Sequence, residues 1–216
     1  MREITPYKTL RGLQKTLDNG GRFYNFFTDA GDNVVSRAEL AKAAGVFSNE
    51  VSAFLFLEMA QQELTSADRT AIQFLLDADL RRRYQQQRPA TLKSSQVEPN
   101  GTAGMAVIVT GYPRFVENKT EFSGFIMMPM QMGNMTTYMM IPIMDKFDVY
   151  EVFDDCRMCK PTSMIATVRG KKLNCDHSIR FGGVLKELKF KDQTKKSHKF
   201  YLEVAYYTRL CQAHAQ

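Results

Sequence analysis

The chain has 216 residues, of which 44% are hydrophobic and 24% are charged, and its formal net charge is +6. These values are ordinary for a globular protein and exclude a chain that is disordered throughout, while four cysteines are too few for a disulfide scaffold. No apolar run is long enough to span a bilayer, and the start "MREITPYKTLRGL" lacks the apolar core of a signal peptide. We therefore expect a cytoplasmic protein with no membrane partner.

Residues 1–87 favour an α-helical module. The segments "SRAELAKAAG", "SNEVSAFLFLEMAQQEL" and "SADRTAIQFLLDADLRRRYQQQ" lack proline and are rich in good helix formers. Polar residues that cap helices precede each segment, at Ser36, at Ser48 or Asn49, and at Thr65 or Ser66. The sequence predicts three helices from these segments, the third being one continuous amphipathic helix. The earlier segment "LRGLQKTLDNGGRFYNFF" could form a further helix that is broken at Gly20 and Gly21.

The stretch "DAGDNVVSRAELAKAAGVFSNEVSAFL" supports three interpretations. As an EF-hand-like loop over residues 28–39 it offers Glu39 at position 12, but Thr28 and Ala30 stand where calcium needs carboxylates. As a helix-turn-helix it resembles the DNA-binding segment of many bacterial repressors, yet its second helix starts without Arg or Lys. Local helix stability explains the same residues, because "SRAE" is a capping box and Gly45 is a left-handed helix end.

The composition changes near residue 90. Residues 88–104, "RPATLKSSQVEPNGTAG", predict a linker, because they are rich in turn residues and lack apolar periodicity. Seven short segments rich in β-branched and aromatic residues follow within residues 105–210, with a hairpin turn predicted at Gly133 and Asn134. We predict an α+β fold in which the helical module precedes an antiparallel β-barrel, OB-like or related, and residues 211–216 form a tail.

Two groups of residues could bind metal. Cys156, Cys159, Cys175 and His177 form a C-x2-C-x15-C-x-H array that could hold zinc, although a predicted strand separates its two halves. The run "MMPMQMGNM" offers thioethers that suit copper(I), but methionine also serves as adaptable packing or as a plastic interaction surface. We predict no metal and no cofactor, and keep a structural zinc protein as an alternative.

No phosphate loop, nucleophile motif or paired-carboxylate signature occurs, so the sequence favours a binding protein over an enzyme. Residues 91–216 carry 17 Lys and Arg against 12 Asp and Glu, a basic excess that permits contact with single-stranded nucleic acid. The residues predicted to make that contact are Lys186, Lys189, Lys191, Lys195, Lys196, Tyr206 and Tyr207.

Further aromatic residues could act as stacking platforms, namely Tyr112, Phe115 and Tyr201. The alternatives are that the lysines form an ordinary solvated hairpin around buried aromatics, or that the Met-rich hairpin is a protein–protein interaction module.

Overall fold

A computed structural model describes residues 1–20, 30–47, 49–132, 135–157, 160–168, 173, 177–188 and 198–210. Within them lie six α-helices and seven β-strands. The helices are α1 Leu10–Leu17, α2 Arg37–Ala44, α3 Glu50–Ala60, α4 Ser66–Leu75, α5 Ala78–Gln86 and α6 Val97–Asn100. The strands are β1 Arg2–Glu3, β2 Ala90–Lys93, β3 Ala106–Met132, β4 Met135–Phe153, β5 Ser163–Val168, β6 Ile179–Glu187 and β7 Phe200–Arg209. No helix in these described ranges is both long and apolar enough to cross a bilayer.

The predicted helix caps are confirmed. Ser36 and Glu39 form a complete capping box at the start of α2, and Gly45 ends that helix in the left-handed conformation with φ 72°. Asn49 caps α3 and Thr65 caps α4, each by accepting a backbone N–H three residues further on. Local side-chain chemistry therefore sets where these three helices begin.

The prediction of one continuous third helix is wrong. The helix ends at Leu75, Leu76 is extended, and Asp77 caps a new helix, α5. The interruption is a short parallel bridge in which the Val35 N–H donates to Leu75 O at 2.7 Å and the Asp77 N–H donates to Val35 O at 3.0 Å. Hydrogen bonds to a distant segment thus replace those of a helix, and the local sequence pattern does not predict these bonds.

Helix α3 forms the centre of the helical part. All of its residues from Ala53 to Ala60 are buried, and it packs against β3, β6 and β7. Its contact with β6 is close, because a side-chain carbon added at Gly182 would lie 2.4 Å from Met59 Sδ. Ile108 of β3 and Tyr206 of β7 belong to the same apolar cluster as the helices, so this cluster joins the helices to the sheet.

The strands form one large mixed sheet, so the predicted combination of helices and a sheet is confirmed and its fully antiparallel character is wrong. The antiparallel pairs are β3–β4, β3–β6, β4–β5 and β6–β7. The parallel pairs are β1–β7, β2–β3 and β5–β7. Strand β6 lies between β5 and β7 in the chain, and a 3₁₀ turn and a short helix lie between β2 and β3. The strands of the parallel pairs β5–β7 and β2–β3 are therefore connected by crossovers rather than by hairpins.

The segment predicted as a linker, residues 88–104, holds β2, a 3₁₀ turn at Ser94–Gln96 and α6. The buried Ser94 hydroxyl lies 2.5 Å from Ser163 Oγ and accepts a hydrogen bond from Thr162 Oγ1 at 2.6 Å. This segment is therefore bonded to the start of β5. The division into domains at residues 87, 104 and 210 stays a prediction.

The first two long strands extend beyond the rest of the sheet. Strand β6 pairs with β3 only at residues 106–111, and β5 pairs with β4 only at residues 147–152. From the Thr120–Lys146 pair to the Met132–Met135 pair, β3 and β4 pair only with each other among the described residues. We call residues 122–132 and 135–144 of this two-stranded segment the methionine ribbon. The predicted turn at Gly133 and Asn134 lies outside the described residues.

Candidate nucleic-acid interface

A cavity of about 830 Å³ lies where β4, β5, β6 and β7 meet the base of the methionine ribbon. This volume lies within the usual range for small-molecule sites, and the cavity is lined mainly by apolar side chains. Its lining residues are Ala103, Gly104, Lys119, Thr120, Phe147, Val149, Met164, Ala166, Val184, Leu185, Lys186, Glu187, Leu188 and Tyr201.

The lining residues of β4 and β5 lie on the face of these strands opposite the sheet's own core. In β4, Phe147 and Val149 alternate with the buried Asp148 and Tyr150. In β5, Met164 and Ala166 alternate with residues 163, 165 and 167, which are all buried. Because successive side chains of a strand point to opposite faces, the cavity and the core share these strands without sharing side chains.

Two aromatic rings line the cavity. Phe147 of β4 and Tyr201 of β7 are both half-buried, so each keeps part of its surface open. The side chain of Met164 lies between their strands, on β5. A partly exposed aromatic ring beside a flexible apolar side chain can stack on a planar base. Such stacking does not depend on the identity of the base, because every base has an aromatic face.

The cavity has two lysines, and each already pairs with a carboxylate. Lys119 Nζ lies 3.1 Å from Glu117 Oε1, with both side chains about half exposed. Lys186 pairs with Glu203, and these side chains are 50% and 41% exposed. Exposed ion pairs contribute only about 0–1 kcal/mol, so a phosphate could exchange for either carboxylate at small cost.

The ends of the lysine-rich connection between β6 and β7 are fixed beside the cavity. The Leu188 N–H donates to Lys199 O at 2.9 Å and closes its base. The Lys199 N–H donates to both Glu98 oxygens at 3.1 Å, and His198 Nδ1 lies 3.4 Å from Glu98 Oε1. Helix α6 therefore holds one end of this connection. The predicted contact residues Lys189, Lys191, Lys195 and Lys196 lie outside the described residues.

The prediction that Tyr206 and Tyr207 stack on bases is wrong for this structure, because their exposed fractions are only 3% and 2%. The Tyr206 hydroxyl donates to Ala44 O at 3.0 Å, and the Tyr207 hydroxyl donates to Glu3 Oε2 at 2.8 Å. Burial raises the pKa of both phenols. The two rings belong to different apolar clusters on the two sides of β7, so neither ring faces solvent.

The capping interpretation of the stretch after Asp29 accounts for Glu39, which is 1% exposed. Its Oε1 accepts from the Asn19 N–H at 3.1 Å and the Gly20 N–H at 2.7 Å. Its Oε2 accepts from the Ser36 N–H and hydroxyl, both at 2.8 Å. Both carboxylate oxygens therefore already accept hydrogen bonds from the protein, which argues against the interpretation of Glu39 as a calcium ligand of an EF-hand. Thr28 lies outside the described residues.

The helix-turn-helix interpretation is also inconsistent with the packing. The second helix of such a motif must expose its first turns to the major groove. In α3 only the first turn is partly exposed, and the rest lies under α2 and on the sheet. Glu58 in the buried part of this helix accepts from the Tyr84 hydroxyl and pairs with Arg88, so this carboxylate faces the interior as well.

The possible zinc ligands are only partly described. Cys156 is an exposed free thiol, whereas Cys159 and Cys175 lie outside the described residues. Within the described part of the chain, no three His, Cys, Asp or Glu side chains gather as metal ligands. The alternative of a structural zinc site that also uses His177 stays untested.

Sequence reasoning found Lys186 and Tyr201 of the cavity and missed Lys119, Phe147 and Met164. In "KFDVYEVF" both faces of the strand carry apolar residues, so the pattern does not show which of them leaves the core. Phe115, a predicted platform, is 41% exposed and packs its edge on Tyr150, with 5.5 Å between the ring centres.

Comparison with known proteins gives little further guidance. No family model matches the chain, and no curated protein matches it. A crystal structure of the N-terminal domain of an archaeal MCM is similar to the chain with a TM-score of 0.41 and 12% identity, covering 82% of this chain and 85% of that one. A likeness at this level carries no functional inference.

Proposed function

We propose that the chain is a non-enzymatic binding protein that contacts single-stranded nucleic acid at the cavity. The observation that carries this proposal is the cycle of strand pairs β3–β4–β5–β7–β6–β3, in which each strand pairs with the strand before it and the strand after it in the cycle. Such a cycle, with its one parallel contact between the third and fifth strands, has the strand order of an OB-type barrel.

In OB-type barrels the face of the second and third strands and the loops after the first and fourth strands bind oligonucleotides. The corresponding strands here are β4 and β5, and both line the cavity. The connection after the fourth strand is the lysine-rich segment "KDQTKKSH". Because a fold alone does not give a function, the proposal also rests on the side chains present at this face.

The cavity offers the two kinds of contact that single strands need. Phe147 and Tyr201 would stack on bases, a contact that contributes about 1–3 kcal/mol per base. Lys119 and Lys186 would exchange their carboxylate partners for phosphates. The lysines at 189, 191, 195 and 196 would add phosphate contacts from the neighbouring connection.

Fluorescence anisotropy with a labelled oligo(dT) of about 15 nucleotides, repeated over a series of salt concentrations, tests the proposal. Each phosphate contact on a single strand contributes about −0.7 to the slope of log K against log salt. We expect Lys119→Glu with Lys186→Glu, and separately Lys195→Glu with Lys196→Glu, to weaken binding and flatten this slope. Lys8→Glu with Lys15→Glu, at two exposed positions in and just before α1, makes the same change of charge and is the matched control, so it should leave both the affinity and the slope unchanged.

Phe147→Ala separates stacking from charge. It should weaken binding about tenfold while leaving the salt slope at the wild-type value, because no phosphate contact is lost. Far-UV circular dichroism of each variant checks that the fold persists. Absence of oligonucleotide binding by the wild-type chain at low salt would refute the proposed function.

A further inference from the structure

Arg180 of β6 has a buried hydrogen-bond donor that no described residue uses. The residue is half-buried, and its Nε is out of reach of water and has no acceptor in the described part of the chain. Arginine stays charged and carries five N–H donors, so a buried guanidinium without an acceptor is costly to the fold. An acceptor supplied by a bound ligand would remove this cost.

The register of the sheet places Arg180 between two threonines. Thr110 of β3 and Thr208 of β7 are its partners in the two neighbouring strands. The Thr208 hydroxyl donates to Ile4 O at 2.8 Å, so its proton is already used. Thr110 is half-buried beside Arg180, and its hydroxyl can donate to an acceptor that binds there.

A second guanidinium, that of Arg69, lies at the end of α3. Arg69 donates hydrogen bonds of 2.6–3.1 Å to three backbone carbonyls just after that helix. Helix α3 contacts the sheet through Met59, which lies close to Gly182. Gly182 is two residues from Arg180, and residues two apart on a strand share a face. The end of α3 therefore brings Arg69 to the side of β6 on which Arg180 lies.

The two guanidinia give this region an excess of positive charge. Burial lowers the pKa of Arg180, and repulsion by Arg69 lowers it further. Glu63 attracts Arg180, but its side chain is exposed, so water screens this attraction. The balance of charge favours an anion as the missing acceptor.

We propose that Arg180 binds the phosphate group of a small ligand, either free phosphate or a phosphate monoester, with Thr110 and Arg69 beside it. The fork of a guanidinium matches two oxygens of a phosphate. A carboxylate would have both of its oxygens in that fork, whereas a phosphate keeps a further oxygen for the Thr110 hydroxyl. None of these residues lines the cavity, so the inference is independent of the proposed function.

Thermal unfolding of the full chain in phosphate-free buffer at pH 7.5 tests this inference, with chloride at equal ionic strength as the reference. A single forked contact gives a dissociation constant of about 1 mM. At about 20 mM, inorganic phosphate should therefore raise the melting temperature by about 4–7 °C. Arg180→Met removes the fork and keeps an apolar stem, so it should lose most of this rise. In chloride it should melt within about 2 °C of the wild-type chain, because the Nε–H it removes has no acceptor among the described residues.

Three further variants separate the site from general effects of charge. Arg82→Met removes the charge of an arginine on α5 that is 69% exposed, and should keep the full rise. Lys119→Glu with Lys186→Glu should also keep it, so that a failure of phosphate binding and a failure of oligonucleotide binding are separate results. Glu63→Gln removes a competing carboxylate and should tighten phosphate binding about twofold to fivefold.

A nucleoside 5′-monophosphate at the same concentration distinguishes the source of the phosphate group. A larger rise in melting temperature than with inorganic phosphate identifies a nucleotide, and an equal or smaller rise identifies free phosphate. The proposal is overturned if inorganic phosphate raises the melting temperature no more than chloride does, or if Arg180→Met keeps the rise. It is also overturned if Arg180→Met melts several degrees lower in chloride, since the guanidinium would then stabilise the fold itself.

Discussion

Replacement of Glu39 by alanine should destabilise the helical part far more than loss of an ordinary helix cap. The carboxylate is buried, and it joins the end of α1 to the start of α2 through Asn19, Gly20 and Ser36. Removing it leaves three backbone N–H groups without their acceptor.

Hydrogen bonds to a charged group each contribute about 1.5–3 kcal/mol, but the half-exposed Asn19 and Gly20 can recover part of this from water. We therefore expect Glu39→Ala to lower the free energy of unfolding by about 3–5 kcal/mol, a large share of the 5–15 kcal/mol typical of a domain. Ser36→Ala removes the acceptor for the Glu39 N–H and one of the four donors to the Glu39 carboxylate, and leaves its three backbone donors in place, so it should lower the free energy of unfolding by about 1 kcal/mol.

Urea unfolding at pH 7, followed by far-UV circular dichroism, measures both changes. Glu39→Gln is the sharpest comparison, because its shape is retained while its NH₂ group must face a backbone donor. The free energy of unfolding of Glu39→Gln should lie between those of Glu39→Ala and Ser36→Ala. If Glu39→Ala costs no more than Ser36→Ala, the carboxylate does not join the two helices as described. Added calcium should leave the wild-type midpoint unchanged, since both Glu39 oxygens are already used.

Two other predictions concern the interior. Burial, and then the Glu58 carboxylate, raise the pKa of Tyr84 above its ordinary value of 10. The neutral phenol therefore makes its full contribution to the stability of the fold below pH 10, and this contribution is lost as the pH rises further. Tyr84→Phe should therefore be less stable at pH 8 by about 1–2 kcal/mol and lose less stability between pH 8 and 11, as urea midpoints at both pH values would show. Gly183→Ala should destabilise the chain by more than about 2 kcal/mol, because the added carbon would lie 2.1 Å from Glu203 O; an unchanged melting temperature would contradict this packing.

Features that depend on near neighbours along the chain can be predicted from the sequence. The caps at Ser36, Asn49 and Thr65 each need one side chain and a backbone N–H three residues away, so they can be predicted from a short window. The strand content after residue 105 follows in the same way from β-branched and aromatic residues. The helices and the presence of a large sheet were accessible at this level, whereas the exposure of the methionines was not.

Which face of each strand is covered depends on long-range packing. Tyr206 and Tyr207 are neighbours in one strand, and both are buried because helices cover one face of β7 and the sheet's core covers the other. The same long-range packing extends Leu76 and makes β5 and β7 parallel. Phe147 enters the cavity because the opposite face of β4 already supplies the core through Tyr150. An alternating pattern gives each strand two faces, but distant segments determine which face lies in the core and which borders the cavity.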